Sequence, residues 1–266
     1  MELRDRVAVV TGGGNGIGRA MCERFAVEGA RSVVVADLDG SAATRTAESV
    51  ESLGAPSLAA PLDVRDEAAV RDLVRDVEAR IGPIDLFCSN AGVGLGTGLD
   101  TPTDLWIDEF HVNVLAHVFA ARAVLPSMLR RGRGYLLNTA SAAGLLTNLG
   151  NLPYSVTKHA AVALAEWMSI VHHDAGIRVS CLCPQAVRTN MLAAALEEGM
   201  SGAAVLAAGA TLEPEAVADA VIEGLREERF LILPHPEVAQ YFARRGGDHE
   251  RWLAGMRRVH ARLSAS

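Results

Sequence analysis

The sequence predicts one α/β domain built on a parallel sheet. Short apolar runs, several of them rich in Val, alternate with longer amphipathic stretches along the 266 residues. That alternation is typical of strands joined by helices. No linker-like stretch or internal repeat divides the chain, and a chain of this length can bury about three quarters of its unfolded surface in one core. We therefore expect a single domain over residues 1–266.

Each element is predicted from its length, its apolar pattern and its ends. Seven short apolar runs are predicted to be strands: Arg6–Thr11, Ser32–Ala36, Ser57–Ala60, Ile84–Ser89, Gly134–Thr139, Arg178–Cys183 and Phe230–Leu233. Helices are predicted at Gly16–Glu28, Ser41–Leu53, Asp66–Ile81, Asp104–Arg130, Pro153–Asp174 and Pro214–Arg226. Asp66 with Glu67, and Pro214 with Glu215, are residues that favour helix starts.

A glycine-rich turn joins the first strand to the first helix. It reads Thr11-Gly12-Gly13-Gly14-Asn15-Gly16-Ile17-Gly18. Glycines let the backbone approach a pyrophosphate, and the amides and dipole at the helix start stabilise its charge. A flexible turn has a similar composition, but the flanking strand and helix favour a dinucleotide site. The expected fold is therefore of the Rossmann type, a doubly wound parallel sheet of about seven strands flanked by helices.

The second strand ends in an acidic stretch, Asp37-Leu38-Asp39, about twenty residues beyond the glycine turn. A carboxylate at this place accepts hydrogen bonds from the adenosine ribose hydroxyls and repels a 2′-phosphate. Asp37 therefore favours NAD over NADP as the cofactor. Arg19 and Arg31 are nearby cations that would weaken this preference.

Tyr154 and Lys158 form the most informative pair in the chain. A spacing of four residues puts the phenol and the ammonium on one face of a helix. A free phenol, with a pKa of about 10, is a poor proton donor and a poor base at neutral pH. A cation beside it favours the phenolate and lowers its pKa toward the working pH. Pro153 suits the first helical position, which puts the pair near a helix start.

Together these residues resemble the classical short-chain dehydrogenase/reductase family over nearly the whole chain. The matching positions are Thr11, Gly12, Gly16 and Gly18 in the cofactor motif, Asn90-Ala91-Gly92 after the fourth strand, and Asn113, Ser141, Tyr154 and Lys158 in the active site. Two positions depart from the family pattern. Ser89 stands where many members have Asn, and Gln185 follows Pro184 where Gly is usual. The second departure affects the loop that passes the nicotinamide in that family.

The resemblance implies a role for each matched residue. Tyr154 is expected to be the acid/base, while Lys158 holds the nicotinamide ribose and lowers the Tyr154 pKa. Ser141 is expected to donate a hydrogen bond to the substrate oxygen. Asn113 either binds a water that links Lys158 to solvent or makes only a local backbone bond. The expected cofactor contacts are Gly12, Asn15, Gly16, Ile17, Gly18, Asp37, Leu38, Asp63, Val64, Asn90, Ala91, Gly92, Tyr154, Lys158, Pro184, Val187 and Thr189.

The substrate pocket is expected between Ser141 and Tyr154 and beneath residues 185–212, which form the lid in the resembled family. Its candidate residues are Leu145, Leu146, Asn151, Gln185, Met191 and Leu192. This mostly aliphatic set predicts a hydrophobic secondary alcohol or ketone, such as a steroid, lipid-derived or cyclic alcohol. Residues 185–212 either close as an apolar lid or pack as an ordinary helical excursion. The C-terminal extension, residues 234–266, suits packing on its own domain or a sister subunit better than contact with a membrane.

Composition narrows the remaining possibilities. The net charge of −7 disfavours nucleic acid and anionic membranes as partners. The N-terminus carries charges at once, and polar residues interrupt the apolar runs, so neither a signal peptide nor a transmembrane segment is expected. The four cysteines, Cys22, Cys88, Cys181 and Cys183, are expected to be reduced core residues of a cytoplasmic protein, without a metal. Small and aliphatic residues on the two longest helices suit a homotetramer or homodimer.

The leading prediction is an NAD-dependent oxidoreductase that interconverts a hydrophobic secondary alcohol and its ketone. An NADP-dependent carbonyl or ketoacyl reductase is the alternative within the enzymes, and Asp37 disfavours it. The alternative that is not an enzyme is a non-catalytic, cofactor-sensing protein of the same fold. The presence of Asn113, Ser141, Tyr154 and Lys158 disfavours that second alternative.

Overall fold

Seven parallel strands form one sheet in the computed structural model, which describes residues 1–197 and 209–264. In chain order they are Val7–Thr11 (β1), Ser32–Asp37 (β2), Ser57–Pro61 (β3), Leu86–Ser89 (β4), Gly134–Thr139 (β5), Ile177–Leu182 (β6) and Leu231–Ile232 (β7). Their order across the sheet is β3-β2-β1-β4-β5-β6-β7, so the winding direction reverses between β1 and β4. In open α/β sheets a ligand binds at the carboxyl ends of the strands at such a reversal.

Helices cover both faces of the sheet. They are Gly16–Val27 (α1), Gly40–Ser52 (α2), Glu67–Arg80 (α3), Thr103–Phe110 (α4), Ala116–Arg131 (α5), Leu152–His172 (α6), Asn190–Glu197 (α7), Pro214–Arg226 (α8), Glu237–Gly247 (α9) and His249–Leu263 (α10). One apolar core contains Ala8 and Val10 of β1 beneath α1, α2 and α8. The other contains Val7 and Val9 beneath α3, α5 and α6. Alternate residues of one buried strand thus serve the two cores, and the predicted doubly wound fold is confirmed.

Side-chain caps begin several of the helices. Asp39 accepts hydrogen bonds from the amides of Ser41 and Ala42, at 2.9 and 3.1 Å, before α2. Asp66 caps α3 in the same way, so it stands just before this helix and not inside it as predicted. Each cap of this kind stabilises a helix by about 1 kcal/mol because it satisfies amides that have no partner within the helix.

The predicted helix Asp104–Arg130 is interrupted. A turn of π-helix, His111–Leu115, separates α4 from α5 and contains the buried Asn113. One extra residue in such a turn changes which side of the helix the following residues face, and π turns occur often at functional sites. The apolar pattern of this stretch predicted only a continuous helix.

The long helix Thr103–Arg131 also contradicts the expectation that no segment has the length and composition of a membrane span. It has 29 residues, its most apolar 18-residue window has a mean hydropathy of 1.5, and half of that window is buried inside the protein. A core helix packed against a sheet passes the same test, because it too must be long and apolar. Within the described residues it is the one helix that meets both criteria.

Candidate active site

A large cavity opens at the carboxyl ends of the strands, at the reversal between β1 and β4. Its volume is about 800 Å³. All seventeen expected cofactor contacts line it, as do Ser141, Leu146, Asn151, Gln185, Met191 and Leu192. Leu145 does not line it, since that side chain is 2% exposed and belongs to the core. Residues 198–208 of the expected lid lie outside the described residues.

The glycine turn is shaped so that only hydrogen fits at two of its positions. Gly12 has a φ of +63°, a conformation that favours glycine. A Cβ on Gly18 would lie 2.0 Å from the carbonyl oxygen of Gly12, so α1 begins directly against the turn. Asn90 fixes the turn by donating its amide hydrogens to the carbonyls of Thr11 and Gly12, at 3.1 and 3.3 Å. This closely packed backbone turn, called the glycine cradle below, fits a pyrophosphate. The Asn90 side-chain amide is already used in holding the turn.

Asp37 lies at the far end of the cradle. Its carboxylate accepts hydrogen bonds from the amides of Gly14 and Asp39, at 2.8 and 3.0 Å. Neither cation that the sequence places nearby reaches it. Arg19 pairs with Glu23 at 2.9 Å, and Arg31 donates to the carbonyl of Ile81 at 2.6 Å.

Arg65 is a cavity residue that sequence reasoning missed. Its guanidinium pairs with Asp63 at 2.8 Å and lies 3.5 Å from Asp108. Hydrogen bonding from Arg65 is the main cause that holds the pKa of Asp63 below its usual range. Among the described cavity residues, Arg65 and Lys158 are the only ones with a cationic side chain, and Arg65 already has two carboxylate neighbours.

The start of α6 presents Tyr154 to the cavity. Asn151 caps this helix, since its Oδ1 accepts a hydrogen bond from the Tyr154 amide at 2.9 Å. Leu152 is therefore the first helical residue and Pro153 the second. The sequence suggested the Asn151 side chain for a substrate contact, and here its amide oxygen caps the helix. Ser141 lines the cavity too, and its Oγ accepts a hydrogen bond from the Ala143 amide at 3.1 Å.

Burial controls the acid–base properties of this pair. It lowers the pKa of Lys158 to about 8 and raises the pKa of Tyr154 to about 12, although a hydrogen bond with Ser141 acts to lower the latter. The Lys158 Nζ lies 5.6 Å from the centre of the Tyr154 ring and donates to the Thr139 carbonyl at 3.1 Å. The Tyr154 pKa is thus raised where the sequence led us to expect a lowered one, because desolvation of the phenolate outweighs the hydrogen bond with Ser141.

Asn113 lies behind the cavity wall rather than in it. Its side chain is fully buried and forms a pair of hydrogen bonds with the backbone of Val93, at 3.0 and 2.8 Å. It also donates to Thr157 Oγ1 at 3.1 Å. A Cβ on Gly92 would lie 3.2 Å from Lys158 Nζ and 3.3 Å from Asn113 Oδ1, so both groups flank Gly92.

His235 supports the loop that carries the unusual Gln185. The Gln185 amide donates to His235 Nδ1, and His235 Nε2 donates to the Ala186 carbonyl, each at 3.1 Å. The imidazole is 2% exposed, and with Nδ1 as the acceptor its donating proton lies on Nε2. The Gln185 side chain has no partner for either of its polar atoms within the described residues. Sequence reasoning missed His235, because fifty positions separate it from its partners.

The C-terminal extension contacts the substrate end of the cavity through Arg245. This guanidinium donates to the carbonyls of Leu145 and Leu146, the second at 3.0 Å, and lies 3.0 Å from His159 Nε2. It also lies over the Trp252 ring, 5.1 Å from the ring centre. The tail was expected to pack on its domain or a sister subunit. In the described residues it packs on the loop that follows Ser141.

A family model described as short chain dehydrogenase matches residues 6–199. The chain belongs to the short-chain dehydrogenase family. A 1-deoxy-11-beta-hydroxypentalenate dehydrogenase from Streptomyces exfoliatus is 36% identical over 242 residues, which cover 90% of this chain and 86% of the relative. A meso-2,3-butanediol dehydrogenase from Serratia marcescens is 36% identical over 192 residues, covering 72% of this chain and 75% of the relative.

A short-chain dehydrogenase/reductase from Burkholderia phymatum, solved in complex with NAD, has a similar structure. Its TM-score is 0.85 at 32% identity, over 94% of this chain and 96% of that one. Family, relatives and fold agree, so this short-chain dehydrogenase is an NAD(P)-dependent alcohol oxidoreductase acting on small molecules. Within the described residues, no group of His, Cys, Asp and Glu side chains is arranged to hold a metal ion.

Proposed function

We propose that this short-chain dehydrogenase oxidises a neutral, hydrophobic secondary alcohol to its ketone, with NAD as cofactor and Tyr154 as the base. One observation carries the proposal: Ser141, Tyr154 and Lys158 line the same cavity as the glycine cradle and Asp37. A cofactor held in the cradle and a substrate held at the phenol would therefore share one water-poor space.

The residues around the cradle suit NAD better than NADP. The amides of the glycine turn would hold the pyrophosphate, Asp37 the adenosine ribose, Lys158 the nicotinamide ribose and Thr189 the carboxamide. Leu38, which is 71% exposed, offers an apolar surface for the adenine but no charge for a 2′-phosphate. Arg65, the remaining cation at this end of the cavity, is engaged by Asp63 and Asp108.

The chemistry requires the hydroxyl proton to leave the alcohol. When bound, NAD⁺ accepts the hydride and adds a positive charge to the site. Tyr154 accepts the proton in its phenolate form, while the Ser141 hydroxyl donates a hydrogen bond to the reacting oxygen. Because burial raises the Tyr154 pKa to about 12, the phenolate needs the Lys158 cation nearby to form at neutral pH. Lys158 supplies that charge only while it stays protonated.

The substrate end of the cavity supports a neutral and largely apolar ligand. Leu146, Met191 and Leu192 are joined there by Val93 and Leu95. No cationic side chain other than Lys158 and Arg65 lines the cavity in the described residues, so a carboxylate on the substrate would find no free partner among them. A relative named for a hydroxypentalenate is in keeping with oxidation of a hydroxyl group. That name denotes a carboxylate, so the neutral character proposed here rests on the cavity residues of this chain.

The first experiment is to titrate the purified protein with NADH and with NADPH, followed by turnover of a panel of cyclic and linear secondary alcohols. Tyr154→Phe should abolish turnover and leave NADH affinity within about twofold, because it removes only the phenolic oxygen. Tyr241→Phe, in the tail, is the matched control and should turn over normally. Turnover that survives in Tyr154→Phe would contradict the proposal, and tighter binding of NADPH would support the reductase alternative.

Self-association and a cytoplasmic location are further proposals. Trp167 and Ile170 on α6 are 58% and 78% exposed, an apolar face that a second subunit would cover. Sedimentation equilibrium of the purified protein should show a dimer or tetramer. A monomer at micromolar concentration would refute the proposed self-association.

A further inference from the structure

Glu109 is a buried carboxylate behind the active site that the proposed reaction does not use. It is the second-to-last residue of α4, two residues before the π turn begins, and its side chain is fully buried. One carboxylate oxygen accepts a hydrogen bond from the Leu95 amide at 2.9 Å. The other accepts bonds from Asn113 Nδ2 and Thr157 Oγ1, both at 3.4 Å. Three separate segments therefore meet at this one side chain.

Two of the residues that bond Glu109 are also neighbours of Lys158. Thr157 immediately precedes it on α6, and Asn113 flanks Gly92 together with the lysine Nζ. The ammonium itself bonds the Thr139 carbonyl, so Glu109 and Lys158 share neighbours without forming a direct ion pair. Glu109 thus holds the groups next to the lysine and adds a negative charge close to them.

Few other titratable groups face Glu109. From α6 they are Lys158 and Tyr154, and the loop of residues 93–97 contributes backbone amides. On its own helix, Asp108 lies toward Arg65, 3.5 Å away. His117 on α5 is buried beside Asn138, and burial lowers its pKa to about 3, so it stays neutral. Lys158 is therefore the cation against which the Glu109 charge acts.

A buried carboxylate costs several kcal/mol unless charge and hydrogen bonds compensate for it. Burial raises the pKa of Glu109, whereas the Leu95 amide and the Lys158 charge act to lower it. We propose that Glu109 is a positioning residue that keeps Lys158 protonated, as a buried counter-charge held in place through Asn113 and Thr157. The inference rests on the proposed role of Lys158, since an ammonium that loses its proton can no longer stabilise the Tyr154 phenolate.

The test uses a property of the sequence: Lys158 is the only lysine in the chain. Protein grown on isotope-labelled lysine gives one side-chain NMR signal, whose pH dependence reports the Lys158 pKa without any substrate. In Glu109→Gln, which keeps the shape and removes the charge, the midpoint should fall by about 0.5 to 1 pH unit. Asp104→Asn removes an exposed carboxylate from the same helix and should leave the midpoint unchanged. An unshifted midpoint in Glu109→Gln would overturn the proposal.

The unmodified protein provides a second readout in case Glu109→Gln does not fold. Its lysine signal should show a smaller step at acid pH, where Glu109 takes up a proton, and the absence of that step would also count against the proposal. In Glu109→Gln, turnover of the best alcohol in the panel should fall away at a lower alkaline pH than in the unmodified protein. A merely structural role would lower turnover equally at every pH. Turnover that survives in Tyr154→Phe would instead refute the proposed function, whatever the pH dependence of the lysine signal.

Discussion

Arg245 offers a sharp test of how the tail supports the site. Arg245→Ala removes three hydrogen bonds, to Leu145, Leu146 and His159, and the contact with the Trp252 ring. With about 1 kcal/mol for each hydrogen bond in this half-buried setting and about 0.5 to 1 kcal/mol for the cation–π contact, the tail should lose about 3.5 to 4 kcal/mol of docking free energy. Leu146 lines the cavity, so the KM for the alcohol should rise several-fold while NADH affinity stays the same.

The neighbouring arginine supplies the control. Arg244 is exposed and lies 6.0 Å from the centre of the Tyr241 ring, so Arg244→Ala should cost less than about 1 kcal/mol. Urea unfolding of both variants, with hydrogen exchange of residues 237–263 to detect local detachment, measures the difference. If the two variants unfold at the same urea concentration and have the same KM, the tail does not support the loop as described.

Three further predictions concern the cofactor site and the core. Asp37→Asn should raise the affinity for NADPH relative to NADH about tenfold in fluorescence titrations, because it removes a repelling charge. Gly18→Ala, whose Cβ would lie 2.0 Å from the Gly12 carbonyl oxygen, should lose at least about 2 kcal/mol of stability and most NADH binding, whereas Gly246→Ala, with open space around it, should do neither. His117 has a pKa of about 3 instead of 6.5, so its contribution to stability is present above pH 6.5 and lost as the pH falls toward 3. Between pH 7 and 4 that loss of unfolding free energy is about 3 kcal/mol. Urea unfolding of His117→Gln at the two pH values should not show it.

Local sequence patterns predicted the scaffold well because they reflect local physics. Strand β5, Gly134–Thr139, has the predicted boundaries, and α8, Pro214–Arg226, does too. A buried parallel strand must be continuously apolar, and a proline followed by an acidic residue suits a helix start. The tail helices α9 and α10 were given no bounds from the sequence, because their many arginines make them polar on average although their apolar residues share one face.

The site residues, too, were predicted well where local patterns define them. The glycine cradle, Asp37 and the Tyr154–Lys158 pair were found from the sequence because each depends on short spacings. Asn151 was assigned to the substrate; it lines the cavity, and its Oδ1 also caps α6. Leu145 was assigned to the pocket, and it lies in the core. Its side-chain direction is set by the backbone of the turn, which the spacing of residues does not specify.

The sequence by itself determined the family, the doubly wound fold that its motifs imply, and the residue types that the chemistry needs. Only the tertiary structure decided how strongly those residues are buried and what stands behind them. Burial is a sum over distant segments, and it set the pKa of Lys158 to about 8 and that of Tyr154 to about 12. Glu109, His235 and Arg245 reach the site from forty to one hundred positions away from the groups they contact in α6, in the loop after β6 and in the loop that follows Ser141. No local pattern marks such residues, because a hydrogen bond depends on a few ångströms of space and not on distance along the chain.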